Sequence, residues 1–285
     1  MAVYTATELN ATVQEKWWQQ VDDARYAKSV VLPHVMNVSK DASFGDIVHL
    51  QYESKLSTGD VTVATGAFTA STTTPSSVAV TINQWKYISN EITDLAKEQS
   101  FYNPISNFAD KAGKALAEKY DTDLLALYSA FTTYSYGTSA APVVFDDTAL
   151  LVSMFKLVNN NIPKEDLVFI LSPEATYRGI LTKPEFRDAE KTGLPASVLT
   201  TNYRYKLLGI PAYESTLCAT ADLAKANLLM HPSAMAIALQ KKGVIKNYDA
   251  TPTGYLKSGA VAQSLYGLKE FRTDHACVIY VRKES

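Results

Sequence analysis

Residues 64–82, ATGAFTASTTTPSSVAVTI, combine a strand pattern with a complete absence of charge. Val78, Val80 and Ile82 alternate with small or polar residues, which is the pattern of a strand with one buried face. From Val61 through Trp85 the chain contains no Asp, Glu, Lys, Arg or His. Soluble proteins usually protect exposed strand edges with charge or proline. An uncharged β segment therefore needs a covering surface.

A strand that precedes this segment predicts a two-stranded ribbon. Val48, Leu50 and Tyr52 fall on one face, and a turn is expected at Gly59. The returning strand is expected from near Ser77 to Tyr87, with a bulge or a strong twist where the apolar parity changes. Arms of about twelve residues would reach roughly 40 Å. Isolated two-stranded hairpins are marginal in water, so a neighbouring molecule is the better covering.

Helical patterns lie on both sides of the ribbon. Leu9, Val13, Trp17 and Val21 recur at helical spacing over residues 8–28, and Trp18 widens that stripe. This helix belongs either to the subunit core or to an arm that packs its tryptophans onto another subunit. A second helix is predicted over 104–131, where an apolar stripe persists for roughly 40 Å.

The second half of the chain predicts alternating strands and helices after a polar loop over 132–142. Asp146 is expected to cap a helix over 147–158, and Ser172-Pro173 to start a helix after a buried strand. His231-Pro232 repeats that order and predicts another helix. A further strand is expected to bend at Gly209 and Pro211, and two more strands are predicted near the C-terminal end.

Bulk composition describes an ordinary globular chain. The formal net charge is −2 over 285 residues, which excludes a strongly basic nucleic-acid surface. The N-terminus lacks a signal-peptide pattern, and no apolar run is long enough for a membrane helix. Cys218 and Cys277 are far apart in sequence, so we expect them to be buried and reduced in a cytoplasmic environment.

Catalytic and ligand-binding motifs are absent from the sequence. There is no phosphate loop, dinucleotide fingerprint, nucleophile elbow or H-E-x-x-H zinc motif. The four histidines are isolated, and His231 is interpreted as a helix-start residue rather than a ligand. Asp121 and Asp123 could bind a cation, but a solvated helix face is favoured. Short runs at 203–206 and at Lys241, Lys242 and Lys246 are interpreted as surface loops. We expect no enzymatic activity, metal or cofactor.

The order of these elements resembles the major capsid protein of a tailed bacteriophage with the HK97-type fold. The resemblance rests on an N-terminal arm, a β ribbon, a long helix and an α/β region containing LVFILSP, LLGIPAYES and NLLMHPSAMAIALQ. Ser172-Pro173, the Leu208–Pro211 strand and His231-Pro232 match short motifs of that family. The implied fold class is α+β, with an extended β-ribbon loop, a long spine helix and a mixed α/β axial domain.

The resemblance also implies a domain division. Residues 1–43 would form an N-terminal arm and 44–90 the extended loop. Residues 91–139 and 251–285 would form a peripheral domain with the spine helix 104–131 and the final strands. Residues 140–250 would form the axial domain.

The implied function is a structural shell that encloses phage double-stranded DNA. The chain would assemble with itself into hexamers and pentamers in the host cytoplasm and reside in the virion. A separate scaffolding protein, a portal protein and packaged DNA bound without sequence specificity would be its partners, with no membrane. Candidate interface residues are aromatic or ribbon residues: Trp17, Trp18, Phe68, Thr72, Thr73, Pro75 and Trp85.

Two alternatives remain open at this point. An encapsulin-like nanocompartment shares the fold and differs in what it encloses. A carbohydrate-binding or adhesion protein would use the tyrosines and the Thr-rich loop, but the missing signal peptide argues against it. Only Lys55 and Lys86 lie within 44–87, so we expect no Lys–Asn cross-link between subunits.

Overall fold

The computed structural model describes residues 26–53, 56, 58–61, 65, 75–99, 108–182, 205–250 and 254–284. The helix predicted over 8–28 lies outside the described residues except for its last three, which are not helical.

The described residues form thirteen strands and four α-helices. The strands are β1 (Met36–Asn37), β2 (Ile47–Glu53), β3 (Pro75–Thr81), β4 (Gln84–Thr93), β5 (Ser135–Tyr136), β6 (Val168–Leu171), β7 (Tyr205–Leu207), β8 (Ile210–Glu214), β9 (Thr220–Ala221), β10 (Ala224–Met230), β11 (Met235–Asp249), β12 (Lys257–Glu270) and β13 (Ala276–Arg282). The helices are α1 (Asp94–Gln99), α2 (Phe108–Ala126), α3 (Asp147–Val158) and α4 (Pro173–Tyr177).

The predicted ribbon is present as β2 paired antiparallel with β3. The register runs from Ile47 opposite Thr81 to Glu53 opposite Pro75. The sequence predicted a bulge or a strong twist where the apolar parity changes after Ile82. The change is not a bulge within one strand. Instead, the chain leaves the ribbon there and enters a different sheet as β4, so the two parities belong to two separate strands.

A four-stranded sheet has the order β1-β11-β12-β4. The helix α2 packs across one face, where Leu116, Tyr120 and Leu124 are buried against Ala260 and Tyr266. The predicted spine helix is therefore present. Its last turn, Leu127–Ala130, is a 3-10 helix, and residues 104–107 lie outside the described residues.

A seven-stranded sheet has the order β5-β13-β10-β6-β8-β7, with β9 paired to β10. Alternate residues of β6 point to opposite faces, as the strand period requires. Val168 and Ile170 join the core that contains α2, whereas Phe169 and Leu171 join a second core beneath α3. Because the α2 core also includes β11 and β12, one continuous apolar cluster joins the two sheets.

The N-cap residues that the sequence predicted for two helices are confirmed. Asp146 accepts a hydrogen bond from the Ala149 amide at the start of α3. Ser172 caps α4 in the same way through the Ala175 amide, with Pro173 in the first turn. In both cases a side-chain oxygen satisfies a backbone donor that the helix leaves free.

The helix predicted after His231-Pro232 is wrong. Pro232 begins only a three-residue 3-10 helix, and the chain continues as β11. Met235, Ile237 and Leu239 pack toward α2, while Ala236 and Ala238 pack toward the ribbon. Because both faces of the first five residues of this strand are buried, Met235–Leu239 are continuously apolar and their period does not distinguish a strand from a helix.

The segment predicted as one bent strand forms a hairpin of β7 and β8. Leu207 pairs with Ile210, which leaves Leu208 and Gly209 as the two-residue turn. Both turn residues have positive φ, 51° and 84°. This is the backbone that a type I′ turn requires, and Gly209 adopts it without a steric cost.

Candidate subunit interface

The ribbon is covered at its base by its own subunit. Val48 and Val80 are buried against Ala236 and Ala238 on the face of the four-stranded sheet opposite α2. The small alanine side chains allow the ribbon to lie close to β11. The uncharged segment is therefore covered by its own sheet at Val80 and Ile82, whereas Pro75–Ser77 at the distal end of β3 are exposed.

Two further contacts fix the ribbon on the sheet. The Tyr52 ring meets Phe271 edge to face at 5.8 Å between centroids, and the Arg272 guanidinium lies 5.3 Å from the Tyr52 ring centre. At the other end, a Cβ atom on Gly267 would lie 2.4 Å from the Thr81 carbonyl oxygen. Gly267 thus permits a backbone approach that no other residue would allow.

The remaining half of this sheet face is open and carries two large aromatic residues. Trp85 and Tyr87 on β4 are 68% and 72% exposed. They lie opposite Leu265 and Gln263 on β12, and the Trp85 indole N–H donates to the Gln263 side-chain oxygen at 3.2 Å. Two large exposed aromatic side chains on one sheet face make it a candidate for a protein–protein contact. We call the surface formed by these four residues the open sheet face.

A charged cluster borders the open sheet face at its far end. The Tyr248 hydroxyl donates to the Glu91 carboxylate, and Lys257 Nζ lies 3.5 Å from the same group. The hydrogen bond from Tyr248, followed by the charge of Lys257, lowers the pKa of the Glu91 carboxyl. Glu91 therefore stays ionised near neutral pH and gives this border a fixed negative charge.

β4 is also an edge strand of the four-stranded sheet. Among the described residues no strand pairs with its outer edge. An unpaired edge next to exposed aromatic rings is a surface that another chain can join through main-chain hydrogen bonds.

Two smaller apolar surfaces lie elsewhere. Leu95, Tyr255 and Leu256 are exposed together where α1 meets the turn before β12, and the Asp94 amide donates to the Leu256 carbonyl at 3.1 Å. On α3, Leu151 and Phe155 are exposed one helical turn apart.

The structure places only two of the predicted interface residues. Trp85 lies on the open sheet face, and Pro75 is exposed at the distal end of β3. The other five lie outside the described residues: Trp17, Trp18, Phe68, Thr72 and Thr73. Tyr87 was not among the interface residues predicted from the sequence, although its position two residues after Trp85 on the same strand puts it on the same face.

Asp121 holds the segment before β1 through buried hydrogen bonds, a role that the sequence did not predict. Its carboxylate is fully buried and accepts hydrogen bonds from the backbone amides of Val30, Val31 and Leu32 and from the Ser29 hydroxyl, at 2.6–3.1 Å. Asp123 accepts from Tyr266 and Lys119 instead. The expectation of a solvated helix face was wrong for Asp121, which holds the N-terminal segment on α2.

The cysteines are buried and free, as predicted. Burial raises the pKa of both thiols to about 12, so neither Cys218 nor Cys277 is a reactive thiolate near neutral pH.

His231 does not start the predicted α-helix, but its ring accepts from the Ser233 amide and caps the three-residue 3-10 helix that replaces it. Within the described ranges, no group of three or more His, Cys, Asp and Glu side chains could hold a metal ion. Lys241, Lys242 and Lys246 are exposed along β11 rather than in a loop.

None of the helices in the described part of the chain has the length and apolar character needed to cross a bilayer.

Comparison with known proteins gives matches at the level of structure. No family model and no curated protein sequence matches the chain. A structure from Mycobacterium phage Che8 has a TM-score of 0.77 at 22% identity, covering 94% of this chain and 96% of that one.

Two cyanophage capsid structures give the same picture. The capsid structure of cyanophage P-SCSP1u has a TM-score of 0.79 at 15% identity and covers 98% of this chain and 96% of its own. The capsid asymmetric unit of cyanophage Pam1 has a TM-score of 0.76 at 10% identity, with both chains fully covered. The predicted fold class is therefore confirmed, and the chain has the fold of phage capsid structures over nearly its whole length.

Proposed function

We propose that this chain is the major capsid protein of a tailed bacteriophage, and that its copies assemble into the icosahedral shell around double-stranded DNA. The observation that carries the proposal is the shared fold, which extends over 94–100% of the chain in the phage structures compared above. The likeness also covers 96–100% of those chains. The protein would reside in the virion and act structurally rather than catalytically.

The open sheet face supports self-association. Trp85 and Tyr87 expose large aromatic surfaces that a second copy would bury, and aromatic residues are enriched at the centres of protein interfaces. The ribbon base covers only the half of the sheet nearest Gly267. We propose that a neighbouring copy covers the other half, with the ribbon beyond Glu53 and Pro75 reaching across to another subunit.

The two sheets support a division into two domains. We propose that the peripheral domain is built on the four-stranded sheet with α2, and the axial domain on the seven-stranded sheet with α3 and α4. This differs from the expected division, which placed β11 in the axial domain and β5 and β13 in the peripheral domain, because β11 pairs with β12 and β13 pairs with β10 and β5.

The remaining partners follow from the proposed role. A separate scaffolding protein and a portal protein would act during assembly. The enclosed DNA would be held without sequence specificity, since a net charge of −2 does not supply the many Lys and Arg contacts of tight phosphate binding. The nanocompartment and adhesion alternatives are not favoured, because the structures compared above come from phages.

Assembly of the purified chain tests the proposal. The full-length protein would be produced alone and with the candidate scaffolding protein, and then examined by sedimentation velocity and negative-stain electron microscopy. We expect closed shells of megadalton mass in the presence of the scaffold. A folded chain that stays monomeric at high concentration with its scaffold, without visible particles, would contradict the assignment.

A further inference from the structure

The two sheets are linked by two chain connections that lie side by side. One runs from β10 to β11 through a 3-10 helix at Pro232–Ala234, and the other runs from β12 to β13 through a 3-10 helix at Thr273–His275. The His231 amide donates to the His275 carbonyl at 3.0 Å, and the Phe271 amide donates to the Ala234 carbonyl at 2.9 Å. Any change in the angle between the sheets must therefore act on this junction.

Three side chains continue the junction as a hydrogen-bonded row. Ser233 Oγ lies 2.7 Å from His231 Nδ1 and 2.6 Å from His275 Nδ1. The Ser233 amide also donates to His231 Nδ1 at 3.2 Å. His231 Nδ1 is therefore an acceptor, the Ser233 hydroxyl donates to it, and His275 Nδ1–H donates to the Ser233 oxygen. A serine hydroxyl has one hydrogen to donate, so the row has a single direction.

Charged groups surround both rings. Asp166, in the loop before β6, has an oxygen 3.8 Å from His231 Nε2, and Asp274 has one 3.9 Å from His275 Nε2. Burial is the main influence and lowers the pKa of both histidines. Asp166 and Asp274 oppose that shift, whereas Arg272 adds to it at both rings, and His231 adds to it at His275.

We propose that His231, Ser233 and His275 form a proton-operated latch that holds the two connections together at neutral pH and opens on acidification. Protonated His231 carries a hydrogen on Nδ1, which would then face the N–H of the Ser233 amide, and its bond to the Ser233 hydroxyl would survive only if that hydroxyl turned from donor to acceptor. The cap of the first 3-10 helix is lost in that state. His275 can take a proton on Nε2 without losing its bond to Ser233, so His231 is the sensing residue.

The pH range follows from the direction of the shifts. A histidine whose folded-state pKa lies below the ordinary 6.5 is protonated more readily when the junction is open. The latch is fully stabilising above pH 6.5 and weakens as the pH falls below it, until the folded form itself is protonated. Linkage to one proton changes the opening equilibrium by up to about tenfold for each pH unit in that range.

Hydrogen exchange of the full-length chain tests the latch. Peptides covering 228–236 and 268–277 would be followed by mass spectrometry from pH 7.5 to pH 5.0, with exchange corrected for its intrinsic pH dependence. We expect the wild-type chain to lose protection in both peptides as the pH falls. His231→Asn keeps a side-chain oxygen that can cap the 3-10 helix but has no titrating ring. We expect its protection to fall less than that of the wild type over the same range, since only the His275 ring remains to link opening to protonation.

His49→Asn is the matched control, because it removes an exposed histidine from the ribbon. It should behave as the wild type does. Equal loss of protection in wild type and His231→Asn would overturn the proposal, as would constant protection in the wild type.

If His231→Asn does not fold, imidazole titration of the wild type by NMR decides. The latch requires the His231 ring to titrate below the ordinary pKa of 6.5 and together with the change in exchange, whereas a His231 ring that titrates at or above 6.5, or without a change in exchange, would overturn it. The test concerns the subunit alone and does not depend on shell formation.

Discussion

Asp121 shows how a single carboxylate organises the start of the described chain. Its two oxygens accept four hydrogen bonds from residues 29–32, and its side chain is fully buried. A carboxylate that accepts several amide N–H groups replaces the water that it loses on burial. The segment before β1 is thereby fixed to α2.

Replacing Asp121 with Asn should destabilise the subunit. Asn presents one acceptor oxygen and an NH₂ group where the wild type presents two oxygens, so at least one buried backbone donor loses its partner. We expect the free energy of unfolding to fall by about 1–3 kcal/mol. Urea denaturation followed by circular dichroism measures it.

Asp110→Asn is the control on the same helix. Asp110 pairs with Lys114 on the exposed side of α2, and its loss should change stability by less than about 1 kcal/mol. An Asp121→Asn chain as stable as the Asp110→Asn chain would show that the buried hydrogen bonds contribute little.

At the scale of elements, the open sheet face determines which substitutions affect assembly rather than folding. Trp85→Ser with Tyr87→Ser removes two aromatic rings that contribute mainly exposed surface to the subunit. We expect the free energy of unfolding to change by no more than about 1 kcal/mol, since exposed side chains contribute little to stability. The yield of shells should fall at least about tenfold, because aromatic residues at interface centres carry much of the association energy.

Leu223→Ser is the control for this pair, because it removes an exposed apolar side chain from the turn before β10. It should assemble normally. Normal shell yields from the Trp85/Tyr87 double variant, measured by sedimentation, would rule out the open sheet face as a subunit contact.

Shortening the ribbon tests the proposed reach between subunits. A deletion from Gly66 through Thr74 leaves every residue of β2 and β3 in register, because the pairing begins at Glu53 and Pro75. A deletion extended to Ser77 would remove three paired residues as well. We expect the shorter deletion to fold with an unchanged denaturation midpoint and to form no shells under the microscope.

A second ribbon variant separates length from side-chain contact. Replacing 66–74 with the same number of Gly and Ser residues keeps the reach and removes the side chains. Normal shells from the deletion itself would mean that the ribbon has no role between subunits.

The elements that the sequence predicted correctly are those with local signals. The caps at Asp146 and Ser172 satisfy amides three residues away, so a short window contains the whole interaction. The surface that covers the ribbon could not be predicted from local sequence. Val80 of the ribbon packs against Ala236 and Ala238, which lie more than 150 residues later in the chain. Asp121 was missed for the same reason, since its partners lie 89–92 residues away.

At the scale of the whole molecule, the shell is expected to be held without covalent bonds between subunits. A Lys–Asn cross-link needs a ribbon lysine that can reach a partner. Lys86 lies on β4 with its side chain on the face opposite Trp85, and Lys55 lies outside the described residues. Mature particles boiled in denaturant should give one gel band near the chain mass of 31.3 kDa.

A ladder of heavier bands that survives reduction would contradict this expectation. Lys55→Ala would then be the first variant to examine, with Lys86→Ala as its control.

The position of β13 has a consequence for synthesis on the ribosome. β13 lies between β5 and β10, and it contributes Val278 to one core and Ile279 to the other. A nascent chain that has emerged only as far as β12 has a gap inside the seven-stranded sheet and one incomplete side in each core. Pairing across more than 140 residues, as between β5 and β13, is slow to form. Each copy should therefore be able to bind other copies only after β13 has been translated. Incomplete chains would then be excluded from the proposed shell during its assembly.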